Sequence, residues 1–196
     1  MRVSDDRYTR DRERLHLAER LIRHEARTHT IRQWTGLSDD RIRKLFRSYV
    51  SDNGPRSVCR HRGKSPGQAA FFFRSSELYF QASQLASLFV VHGLLCGPLQ
   101  KLESRYRLGS LESGTLLCEA YEAYVKLHAP TRISFEHAWY LLIALGRHEE
   151  LGMTGCTVCG GLHLQDLLAR HRLVCANGVP PDFGAVVKTG PCDRTS

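Results

Sequence analysis

Nothing limits this chain more than the glycine at position 36, because apolar residues recur at helical spacing on both sides of it. Ile31 and Trp34 stand three apart before it; Ile42, Leu45, Phe46 and Tyr49 share one face after it. Gly36 supplies the positive φ that ends a helix, and Leu37 packs beneath the turn. Ser38 then caps the next helix through its side-chain oxygen, while Asp39 and Asp40 place negative charge at the positive end of the helix dipole. A helix, a tight turn and a second helix are expected within residues 15–50, with a leading helix from Leu15 that carries Leu17, Leu21, Ile22 and Ala26.

The second helix is apolar inside and basic outside. Arg41, Lys44 and Arg47 recur at spacing three on the outer face, with Arg43 beside them. This pattern suits the second helix of a helix-turn-helix, which lies in the major groove with base-reaching side chains near its start and phosphate contacts around them. An ordinary helical hairpin with a solvated charged face is the alternative. Charge distribution favours nucleic acid: residues 1–64 hold 17 Lys and Arg against 9 Asp and Glu, whereas residues 65–196 hold 11 of each. The whole positive excess lies in the third of the chain that carries the hairpin, as an electrostatic footprint for nucleic acid requires.

Residues 51–70 are crowded with turn formers and breakers. The stretch carries Arg56, Arg60, Arg62 and Lys64, with His61 as a further cation when protonated. A loop of this length in a compact domain either binds something or is a linker. A basic arm on the phosphate backbone is the functional expectation.

Residues 71–152 read as a helical core. Leu78, Leu85, Leu88 and Phe89 share a face from about Ser76 to His92, and Leu116, Leu117, Ala120, Tyr121, Tyr124 and Leu127 do so from Gly114 to His128. A third helix, capped by Ser134, carries Phe135, Ala138, Trp139, Leu142, Ile143 and Leu145. Such stripes bury themselves against one another, so the expected fold is all-α, with Cys96 and Cys118 as buried thiols.

A small zinc-ribbon-like knuckle is expected over residues 153–180, flanked by a flexible tail at 181–196; residues 1–14 are too polar to hold structure alone and read as a disordered tail. Cys156 and Cys159 form a C-x2-C pair followed by two glycines, a spacing that lets two thiolates bind one zinc ion. Cys175 offers a third ligand. His171 offers a fourth, because the helical preference of residues 164–170 would set His171 and Cys175 on one face. His163 and Cys192 are other candidates for that place, and a metal-free redox pair is the alternative reading of the two cysteines.

Seven cysteines, an odd number, argue against a secreted disulfide framework. The charged N-terminus and the lack of a long apolar run leave a cytoplasmic protein as the expectation. No phosphate-binding glycine loop or nucleophile elbow occurs, and His148-Glu-Glu lacks the second histidine of a zinc-protease helix, so an enzyme is not expected. A helical module that binds only protein, and a zinc hydrolase with an open metal position, are the competing classes.

In order, the chain presents Gly-Leu-Ser-x-x-Arg-Ile-x-Lys-Leu from Gly36, a basic loop ending in Lys64-Ser-Pro, an aromatic helical middle with Ala138-Trp139, and Cys156-x-x-Cys159-Gly-Gly. Over about Leu15 to Val179 this order resembles the flagellar transcriptional regulator FlhC family. The resemblance implies a bacterial activator that joins the FlhD subunit in a heterohexamer, binds promoter DNA upstream of flagellar operons and helps RNA polymerase start there. It also implies one structural zinc ion held by two C-x2-C pairs. Cys156, Cys159 and Cys175 match three of those ligands, and Gly178 stands where the fourth would be.

Overall fold

Three serines start the three central helices. Ser75, Ser110 and Ser134 lie in extended backbone, and their hydroxyls accept from the N–H groups of Leu78, Ser113 and His137 at 3.2, 3.2 and 3.4 Å. Glu77, Glu112 and Glu136 stand in the first turns, where the helix dipole favours negative charge. The computed structural model describes residues 2–51, 58–61, 63–97, 102–104, 109–156 and 160–169. Along these the order is α1 (Arg2–Arg23), α2 (Thr28–Thr35), α3 (Asp39–Ser51), a 3₁₀ turn (Ala69–Phe73), α4 (Ser76–Val91), β1 (Leu95–Cys96), β2 (Glu103–Ser104), α5 (Leu111–Leu127), α6 (Phe135–Arg147), β3 (Leu151–Gly155) and β4 (Leu162–Asp166).

One continuous apolar core joins the N-terminal helices to the central ones. Leu17, Leu21 and Ile22 of α1, Ile31 and Trp34 of α2 and Ile42 of α3 are at most 2 % exposed, as are Leu85, Leu117, Phe135 and Leu142 of the helices behind them. Gly114 lets α5 approach closely: a Cβ there would stand 2.8 Å from Leu17 Cδ2 and 2.9 Å from Trp34 Cε3. Along the same contact Arg20 grips Glu122 through two hydrogen bonds of 3.1 and 3.0 Å, and His24 Nε2 meets the same carboxylate at 3.0 Å. Buried Gln81 is satisfied as well, accepting from the Tyr124 hydroxyl and from the Arg132 N–H.

The fold is largely helical rather than all-α, because two small antiparallel sheets interrupt it. β1 pairs with β2, and β3 pairs with β4 in a register that sets Met153 opposite Leu164 and Thr154 opposite His163. Residues 164–166, expected to begin a helix, are strand. Helix propensity is overridden there by burial: Leu151, Met153 and Leu164 are buried, and the Leu164 N–H donates to Ser83 Oγ of α4 at 3.0 Å. β3 likewise begins inside the stretch expected to be helical core.

Two further expectations are corrected. α1 begins at Arg2, so the segment read as a disordered tail is the first half of a helix, exposed at residues 7–10, whose second half is held by the core. Cys96 is exposed, because the period-two alternation of β1 turns Leu95 inward and Cys96 outward. Cys118 is fully buried, and burial pushes its thiol up to about 12. Among the described residues no helix is long and apolar enough to cross a membrane.

Candidate nucleic-acid interface

The turn between α2 and α3 is built as its residues dictate. Gly36, at φ 67°, closes α2 by donating its N–H to Arg32 O at 2.8 Å. Thr35 Oγ1 donates to Ile31 O at 2.7 Å and accepts from the Leu37 N–H at 3.3 Å, which draws Leu37 under the turn to 5 % exposure. Ser38 Oγ accepts from the Arg41 N–H at 3.4 Å, and Asp39 and Asp40 occupy the first turn of α3. Ile42 and Phe46 then point inward and Leu45 is half-buried, while the side chain of Tyr49 lies outside the described residues.

Arg41, Arg43, Lys44 and Arg47 are all exposed on α3. Arg43 is committed to Asp40 at 2.9 Å, an open pair that holds its guanidinium near the start of the helix. Arg41 and Lys44 have no acidic partner among the described residues. The outer face therefore offers two uncommitted cations in the first two turns, where a groove-seated helix reaches bases and flanking phosphates.

The basic loop is less of an arm than its composition suggests. Glu25, in left-handed backbone at φ 58°, accepts from the Cys59 N–H at 3.0 Å and meets His61 Nε2 at 2.9 Å. Arg60 Nη2 donates to Thr28 Oγ1 at 3.2 Å, and its guanidinium lies 5.6 Å from the centre of the Phe46 ring. The Ser65 hydroxyl donates to Glu136 Oε2 at 2.8 Å, and Glu136 Oε1 accepts from the Arg27 N–H at 2.9 Å. Glu136 is only 4 % exposed, and these donors, with the Arg27 guanidinium at 4.0 Å, balance its burial. Arg60 is thus set beside α2 and α3 and Lys64 near the start of α2, whereas Arg56 and Arg62 lie outside the described residues.

Glu25 and Glu136 escape a reading of the sequence. Each looks like a solvated acid at a helix boundary, and no spacing shows that Glu25 turns both oxygens to the loop at Cys59 and His61, or that Glu136 turns one to Ser65 and the other to the Arg27 N–H.

At the other end, Cys156 directly follows β3, where the chain turns back toward β4. The Cys156 N–H donates to Gly161 O and its carbonyl accepts from the Gly160 N–H, both at 2.9 Å, with Gly160 at φ 69°. A tight turn of this kind is what two thiolates need to share one ion, and the half-buried Cys156 sits at its start. Cys159, His171 and Cys175 lie outside the described residues, and no group of three metal-ligating side chains occurs among the described ones. His163, the alternative ligand, stacks on Tyr79 at 6.0 Å, and burial holds its imidazole below the ordinary value.

No protein-family model matches the chain, and no curated protein matches it significantly.

Proposed function

We propose that the chain is a DNA-binding transcriptional regulator in which α2 and α3 form a helix-turn-helix and α3 enters the major groove. The observation that carries this reading is the two-sidedness of α3: Ile42 and Phe46 are locked into the core while Arg41 and Lys44 stand exposed and without acidic partners among the described residues. A face merely solvated would gain from interspersed acids, as Asp40 gives Arg43; the middle of α3 has none. The concentration of all excess positive charge in residues 1–64 points the same way.

The resemblance to the FlhC family supplies the rest of the proposal: an activator of flagellar operons that works with FlhD in a heterohexamer and recruits RNA polymerase, without catalysing a reaction. Zinc in this reading is structural, one ion per chain, held by Cys156, Cys159 and Cys175 with His171 as the fourth ligand. The glycine-closed tip of the β3–β4 hairpin suits it. Bound zinc would tie the hairpin tip to the chain that follows.

Co-expression with FlhD tests the assignment. The proposal expects a heteromeric complex by native mass measurement and protection of DNA upstream of flagellar operons in a footprint. A chain that stays alone and protects no DNA overturns it.

A further inference from the structure

Between the start of α2 and the loop residues Arg60, His61 and Gly63 to Ser65 lies a cleft of about 570 Å³, and among the described residues every ionisable side chain lining it is basic: Arg27, His29, Arg60, His61 and Lys64. Two of these are neutralised from behind, Arg27 by the buried Glu136 and His61 by Glu25. The other three, His29, Arg60 and Lys64, are exposed and have no acidic partner among the described residues. Bringing the charges of Arg60 and Lys64 together around an opening without a counter-charge costs free energy, and a bound anion removes that cost.

The cleft is also fixed in place. Arg60 is held by its hydrogen bond to Thr28 Oγ1 and by the Phe46 ring; the backbone around it is pinned at Cys59 and His61 by Glu25, and at Ser65 by Glu136. Phe46 belongs to α3, so the cleft adjoins the helix assigned to the groove. In a helix-turn-helix complex the first helix crosses the sugar–phosphate backbone while the second lies in the groove.

We infer that this cleft seats one phosphate group of the DNA backbone, with Arg60, Lys64 and His29 as its ligands. The inference rests on the DNA-binding reading and adds to it a phosphate position that fixes α3 in register. Arg27 serves as the positive wall behind, already committed to Glu136, and His61 beside it is held by Glu25.

The test uses the full chain and a short DNA duplex, and reads the slope of log Kd against log salt together with the ring signals of His29 in an NMR titration. Lys64→Gln is the informative variant, since Arg60 also covers Phe46 and its loss would loosen the loop. Losing one phosphate contact should lower the slope by about 0.9, with Lys64→Arg restoring it, and duplex should shift the His29 signal in wild type. A slope unchanged in Lys64→Gln but lowered in Arg41→Ala with Lys44→Ala overturns the cleft and leaves the DNA reading intact. No duplex binding by wild type overturns both. A His29 signal that moves with poly-glutamate and not with duplex assigns the cleft to an acidic protein and overturns the phosphate.

Discussion

Trp34 and Trp139 meet edge to face with ring centroids 4.5 Å apart, and through this contact α2 is joined to α6. The pair makes the α2–α3 hairpin part of the main core instead of an appendage. Trp34→Ala should cost about 3–5 kcal/mol, read from denaturant unfolding. Trp34→Phe should cost less, because the indole N–H is buried with no hydrogen-bond partner among the described residues and its removal forfeits none. Equal losses for the two substitutions would show that the ring pair contributes little.

Gly114 is the counterpart on α5. A side chain there meets Leu17 and Trp34 at once, so Gly114→Val should destabilise by at least about 1–3 kcal/mol through overpacking, and should weaken DNA binding only as far as it unfolds the chain. A fully stable Gly114→Val protein would mean that α1 and α2 sit farther from α5.

Acid should loosen the contact between α1 and α5. Burial lowers the His24 imidazole below its ordinary 6.5 despite the hydrogen bond it makes to Glu122, and the stack on Phe135 fills the space around it. Burial alone would raise the Glu122 carboxyl, but the hydrogen bonds with Arg20 and His24 outweigh it and hold it below 4.5. Below pH 6.5 the unfolded chain takes up a proton at His24 before the folded chain does, so stability falls as pH drops through the lowered folded value; Glu122 adds a further loss below 4.5. His128, His137 and His163, all lowered by burial, act in the same direction. Thermal unfolding between about pH 7 and about pH 5 should show this slope, reduced in His24→Gln. A slope that His24→Gln leaves unchanged would take His24 out of the account.

Metal analysis of freshly purified protein decides the hairpin tip. Wild type should carry about one zinc per chain, Cys156→Ser should lose it, and His171→Ala should hold it more weakly. Zinc-free wild type that still folds would remove the metal. Full retention in His171→Ala would move the fourth place to His163, Cys192 or water.

What the sequence reveals and what it conceals divide by range of contact. The start of α6 at Ser134, the stop at Gly36, the cap at Ser38 and the inward faces of α3 to α6 are local events, each written within a few residues, and each is legible except at the end of α5, where Leu127 shares the expected inward face but is exposed. β4 is not, because Leu162–Asp166 becomes a strand only through β3 and the cover of α4, and its residues taken alone prefer helix. The exposure of Cys96 is hidden for the same reason: its strand partner, Glu103, comes seven residues later. The outer basic face of α3 was visible as a spacing. The anchoring of the basic loop was not, since it depends on Glu25 and Glu136, which reach it from 34 and 71 residues away.

The central claim is that the exposed cations of α3 meet duplex DNA, and a salt titration of duplex binding tests it most directly. Wild type should bind with log Kd rising steeply with log salt, about 0.9 per phosphate neutralised. Arg41→Ala with Lys44→Ala should weaken binding by about 1–3 kcal/mol for each residue that reads a base, and by less for one that meets phosphate, with the fold intact. Ile42→Asp should instead abolish binding by unfolding the hairpin, because it buries an unpaired charge. Binding by the folded double variant that matches wild type at every salt concentration would contradict the claim and take α3 out of the interface.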